Sequence, residues 1–218
     1  MGLTTFIIYF ALLLIIPLWA QSRVKSAYRK YSQVPSSSGL TGAQVARKIL
    51  DDNGLYNVRV EEVKGTLTDH YDPRSKAVRL STDNFHGHSV AGAAVAAHEV
   101  GHAIQDQEEY AFLRFRHALV PVASFGSNAS FFLILAGILL SSQGMLLFGI
   151  IAMAAAVLFQ LVTLPVEFNA SNRAMEQIVS AGVIRNDEER ETKKVLNAAA
   201  LTYVAAAVVA LLELVASH

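Results

Sequence analysis

Four long apolar stretches, almost free of charge, constrain what this 218-residue chain can fold into. They cover residues 4–20, 119–140, 145–164 and 198–215. In hydrocarbon a chain must satisfy its own backbone hydrogen bonds, so each stretch reads as a helix. The first would make about 25 Å of helix, slightly short for a span, and is expected to begin at Leu3 and end near Arg23. Pro17 would kink it, and Trp19 suits a membrane interface. A cleaved signal peptide is the alternative, but no basic segment precedes the stretch and no small-x-small cleavage site follows. Residues 198–215 have their own alternative, a buried helix in a soluble core, because they are rich in alanine and carry Glu213.

Composition agrees with the membrane reading: 53% of residues are hydrophobic and 17% charged, where soluble domains run at about a quarter charged. The net charge of zero gives no bias toward nucleic acid. With no cysteine, neither disulfides nor thiolate metal ligands are available. Arg23, Lys25, Arg29 and Lys30 follow the first stretch and nothing basic precedes it, so the N-terminus is expected outside and the next segment in the cytoplasm. The uncharged turn 141–144 joins two stretches as an antiparallel hairpin on the outer side. This divides the chain into an N-terminal transmembrane helix (1–22), a cytoplasmic α+β segment (23–117), a transmembrane hairpin (118–166), cytoplasmic helices (167–195) and a C-terminal transmembrane helix (196–218).

In the first polar segment, Thr41 and Gln44 form a capping box for a short helix ending at Asp52, before Asn53-Gly54. Residues 57–63 alternate as a strand; 66–71 and 76–81 read as two more around the turn Asp72-Pro73-Arg74-Ser75. The expectation is a small antiparallel sheet, either scaffolding or an edge for an extended peptide. Ser89 is a plausible N-cap for a helix over 90–107 whose first half is only Ala, Val and Gly, suited to close packing.

That helix carries His98-Glu99-Val100-Gly101-His102. Histidines four apart share a helix face one turn apart, so both imidazoles can reach one metal ion. Two imidazoles with a carboxylate make an open zinc site, and Glu99 is placed to take a proton from water there. The third ligand must be Asp, Glu or His from elsewhere. Glu167 stands out, because a carboxylate at the end of an apolar helix is costly unless paired or metal-bound. Gly101 keeps the ligand helix slim enough for a neighbour to approach.

Together, His98 to Gln105, Asp69-His70-Tyr71-Asp72-Pro73-Arg74 and Glu167-Phe168-Asn169-Ala170-Ser171 resemble the bacterial membrane-bound neutral zinc metallopeptidases of the YugP type, over nearly the whole chain. The pattern is more distantly similar to gluzincin membrane proteases such as the HtpX and CAAX-processing enzymes. There the third ligand is a Glu, often with an Asp four residues on; this sequence has Ser171 at that place, a weaker orienter than a carboxylate.

The fold class expected is a mainly α membrane protein with about four transmembrane helices and a small cytoplasmic zincin-like α+β domain. The activity expected is hydrolysis of peptide bonds in membrane-associated proteins by water activated on Zn²⁺, with His98, His102 and Glu167 as ligands and Glu99 as general base. An oxyanion donor is sought among His70, Tyr71, His86, His88 and Tyr203, with His70 and Tyr203 carried forward. Their bland readings are an exposed loop histidine and a membrane-interface tyrosine. His86 and His88 lie at least about 15 Å of helix from His98 and are not ligands; His117 and His218 read as surface or interface residues. The partners expected are a peptide or protein substrate and the lipid bilayer; no feature specifies an oligomeric state. The competing functions are a structural or adaptor protein whose zinc staples helices together, and a zinc hydrolase of non-peptide substrates.

Overall fold

The computed structural model describes residues 2–216, apart from the side chains of Ser127 and Asn128. His218 and Ser217, at the end of the expected C-terminal helix, and Met1 at the start of the first, lie outside the described residues. The chain is mainly helical: α1 Leu3–Ser32, α2 Gly42–Asp52, α3 Thr82–His86, α4 Val90–Gln107, α5 Ala111–Leu139, α6 Gln143–Ser180 and α7 Asn186–Ala216, with strands β1 Arg59–Val63, β2 His70–Asp72 and β3 Ala77–Ser81. It divides into two compact units.

One unit holds the chain up to Gln21, Ala111–Val166 and the chain from Thr202. Among the described residues, α1, α6 and α7 are long and apolar enough to cross a membrane. α5 adds a fourth span if its two arms, Ala111–Gly126 and Ala129–Leu139, count as one across their 42° bend. Large apolar side chains such as Ile7, Leu14, Phe131, Phe132, Leu139 and Val215 face outward from this unit, as lipid-facing helices require. Gly126 lets α5 and α6 meet closely, since a Cβ there would lie 2.3 Å from Ala152 O.

The other unit holds Ser22–Tyr110 and Glu167–Leu201 and carries a buried hydrophobic core. Val45, Ile49 and Leu50 of α2, Val78 and Leu80 of β3, Ala94, Ala97 and Val100 of α4, and Ala174 and Ile178 of α6 pack in one buried cluster. The capping box at α2 forms, with Gln44 N–H donating to Thr41 Oγ1 at 3.2 Å and Thr41 N–H to Gln44 Oε1 at 2.9 Å. Ser89 Oγ caps α4 by accepting from Gly92 N–H at 3.0 Å. The Ala-, Val- and Gly-only half of α4 is almost entirely buried.

Two sequence expectations are corrected. The sheet is mixed, not antiparallel: its order is β1-β3-β2, with β1 parallel to β3 and β2 antiparallel to it. Alternation of apolar and polar residues specifies faces, not the direction of a neighbour. Only the turn after Asp72 forces an antiparallel pair. There Asp72 accepts from Arg74 N–H, Ser75 Oγ and the Arg79 guanidinium, bonds that hold its carboxyl, led by that from Ser75, well below the usual carboxylate range. The chain between β1 and β2 carries left-handed backbone at Gly65 (φ 110) and Leu67 (φ 57), which shortens the expected 66–71 strand to β2 and returns it on the far side of β3. Second, the boundary expected between residues 166 and 167 is not a helix end: α6 runs through Pro165 as one helix to Ser180. Proline removes one backbone donor and tends to kink a helix. Here Val162, Thr163 and Val166 are buried around that turn, and packing holds the helix together.

α4 and α6 touch at Gly101. A Cβ built there would lie 2.7 Å from Ala170 O, a backbone atom that cannot swing aside. Gly101→Val should therefore lower stability by about 1–3 kcal/mol through overpacking, more than the small helix-propensity gain over glycine restores. Thermal unfolding of the detergent-solubilised protein measures this; an unchanged midpoint would contradict the close approach.

Candidate metal centre

α4 sets His98 and His102 one turn apart with ring centroids 4.8 Å from each other. α6 brings in Glu167, three residues beyond the apolar stretch 145–164 of the same helix. Glu167 Oε2 lies 2.9 Å from His98 Nε2 and 3.3 Å from His102 Nε2. One ligand atom from each residue falls within 4.8 Å of the others, and among the described residues this is the cluster of His and acidic groups able to hold a metal ion.

The pocket is dry for a carboxylate: Glu167 is 3% exposed. Burial pushes its carboxyl up, but the hydrogen bonds and charge that protonated His102 and His98 would offer outweigh it and hold the group well below the usual carboxylate range. Glu167 Oε2 faces the Nε2 atoms of both imidazoles.

The outward-facing ring nitrogens are also engaged. His98 Nδ1 lies 3.1 Å from Ser171 Oγ, and His102 Nδ1 lies 3.0 Å from Gln105 Oε1. A carbonyl oxygen only accepts, so His102 Nδ1 carries the hydrogen of that bond. In the neutral imidazole Nε2 then offers a lone pair toward the Glu167 carboxylate, an arrangement of two acceptors that needs a proton or a cation between them. Two imidazoles and one carboxylate, with both Nδ1 atoms already held, fit Zn²⁺ by donor type and by the second layer behind the ligands.

The remaining candidates are distributed as follows. Glu99 sits on α4 beside His98 and is half-buried. Ser171 lies one turn beyond Glu167 on α6 and touches His98. His70 is exposed in β2, where its Nδ1 is 2.8 Å from Thr68 O. Tyr71 Oη donates to Asp106 Oδ2 at 2.6 Å. His86 Nε2 lies 3.1 Å from Glu62, and His88 O accepts from Ser36 N–H at the entry to α4. Tyr203 is half-buried on α7 in the apolar unit. Gln105, which carried no role in the sequence motif, lies three residues from His102 and so on the same helix face.

A family model described as "Putative neutral zinc metallopeptidase" matches residues 6–217. A protein of Bacillus subtilis (strain 168) named "Putative membrane protease YugP" is 59% identical over 196 residues, covering 90% of this chain and 87% of that protein. No solved structure matches the chain. The family description implies zinc, and the His98, His102 and Glu167 cluster is a possible site for it. By a match that runs almost from end to end, the chain belongs to the "Putative neutral zinc metallopeptidase" family.

Proposed function

We propose that this protein is a membrane zinc endopeptidase that cuts membrane-associated proteins, with its site at the cytoplasmic surface. The observation that carries the reading is the convergence of Glu167 on His98 and His102 of α4, the helix that also carries Glu99. His98 and His102 would bind through Nε2 and Glu167 through its carboxylate. When bound, Zn²⁺ supplies Lewis acidity that polarises a scissile carbonyl and makes water easier to deprotonate. Glu99 takes the proton from the attacking water and delivers it to the leaving amine nitrogen as the C–N bond breaks. Ser171 and Gln105 hold the two imidazoles in a fixed orientation, so no ligand must be reorganised during turnover. Gly101 allows the two ligand-bearing helices to meet.

The relative's name, a membrane protease, and the apolar helices support a membrane setting. The cytoplasmic assignment rests on charge. Arg23, Lys25, Arg29 and Lys30 follow the apolar part of α1; Arg114 and Arg116 precede that of α5; Arg190, Lys193 and Lys194 precede that of α7. The turn 141–144 carries no charge at all. Glu167 follows closely on the apolar stretch of α6, which favours substrates held at the same membrane surface.

Glu99→Gln should keep zinc and lose activity on a casein-like substrate by about 10²–10⁴-fold; wild-type turnover would exclude Glu99 as the base. Glu167→Ala should drop zinc content well below the wild-type stoichiometry after dialysis, and unchanged stoichiometry and affinity would remove Glu167 from the ligand set. Because the chain has no cysteine, Ser142→Cys supplies a single thiol. Membrane-impermeant maleimide added to intact cells should label it, and labelling only after lysis would reverse the topology.

A further inference from the structure

Behind His102 a row of polar side chains runs from α4 to α6. His102 Nδ1 meets Gln105 Oε1 at 3.0 Å, Gln105 Nε2 donates to Asn169 Oδ1 at 2.9 Å, and Arg173 Nε donates to the same Asn169 oxygen at 2.7 Å. Arg173 is in turn held by Glu108, with Nη1 2.7 Å from Glu108 Oε2. Gln105 is fully buried, so its amide cannot turn to solvent for a partner.

The chemistry of this row has a direction. Amides can present either end and a neutral imidazole can carry its hydrogen on either nitrogen, but a guanidinium donates and never accepts. Arg173 therefore requires the oxygen of Asn169 to face it. That oxygen, already turned inward, takes the amide hydrogen of Gln105. The carbonyl of Gln105 is then the end left toward His102, and Nδ1 of His102 must carry the hydrogen. Nε2 is left with the lone pair, pointing at Glu167. The His98 side lacks this control, since Ser171 Oγ can donate or accept equally well.

We propose that Arg173, which touches no ligand, is a positioning residue that sets the tautomer of His102 through Asn169 and Gln105, and so prepares that imidazole to bind metal. This rests on the reading of His98, His102 and Glu167 as the metal ligands. The row spans both ligand-bearing helices, so it also ties the orientation of His102 to the seating of α6 on α4. Loss of any member lets the Gln105 amide rotate and offer N–H to Nδ1, which moves the imidazole hydrogen to Nε2, where the metal would bind.

The experiment uses the full-length protein in detergent, with ¹⁵N-labelled histidine and metal removed. In the wild type His102 Nδ1 should carry a hydrogen, whether Nε2 is bare or shares a proton with Glu167. Asn169→Leu and Arg173→Met should shift it toward Nε2–H and weaken Zn²⁺ affinity, measured by chelator competition, by about 10–100-fold. Asn169→Asp and Gln105→Glu keep an acceptor at each key point and should retain the wild-type tautomer, with affinity within a few-fold. Melting curves identify any variant that fails to fold, and the tautomer comparison then rests on the other variant of the pair. If Asn169→Leu and Arg173→Met fold and leave both tautomer and affinity unchanged, the relay is wrong while the metal centre stands. If the wild type binds no zinc and Glu167→Ala changes nothing, the metal-centre reading itself fails; a tautomer that still responds to Arg173 would then show the relay to be independent of metal.

Discussion

The close meeting of α4 and α6 at Gly101 and Ala170 is the contact on which the site depends. A Cβ at 101 would lie 2.7 Å from a backbone oxygen, so the two helices pass nearer than any other residue would allow. That spacing brings Glu167 Oε2 within 2.9 Å and 3.3 Å of the two imidazoles. α6 presents Glu167, Ala170, Ser171 and Ala174 along one face, at helical spacings of three and four. The first holds the charge, the second makes room, the third reaches His98, and the fourth enters the core. All four lie beyond Pro165 on one uninterrupted stretch of α6, which fixes their mutual spacing.

Charge explains why the remaining neighbours are polar rather than apolar. A buried carboxylate is tolerated only when its surroundings stabilise the ion. Glu167 has two imidazoles for this, and each imidazole has a partner on its far side. The two partners differ in kind. Ser171 is adaptable, while Gln105 is held by Asn169 and Arg173 and has one orientation that satisfies the whole row. His98 thus faces a partner that can either donate or accept, and His102 one whose acceptor end is set by the row behind it.

Much of this was legible in the sequence, for identifiable reasons. The spacing of His98 and His102 carries its meaning locally, because four residues on a helix are one turn wherever the helix lies. The apolar stretches are equally local, and so are the Thr41 capping box and the Ser89 cap. Glu167 drew notice because an anion directly after a membrane-length apolar stretch calls for a partner. The sheet was misread as antiparallel because β1 and β3 pair across intervening chain, and their alternation is the same for either direction. The division at 166 and 167 followed the local end of the apolar stretch, whereas the packing that carries α6 through Pro165 is not local. Gln105 and Asn169 were legible only as polar residues within the motifs, with no partner that the sequence could name.

By itself, then, the sequence determined the local quantities: which segments are helical, which are long and apolar enough to cross a membrane, and which side chains share a turn. Their physics acts over a few residues along one chain. The tertiary structure alone decided which strand lies beside which, that α6 is continuous, and that residues 98, 102 and 167 meet at one point with 105, 169 and 173 behind them. Those outcomes depend on backbone approach, burial and the donor or acceptor character of groups far apart in the chain, which become definite only when the core has closed.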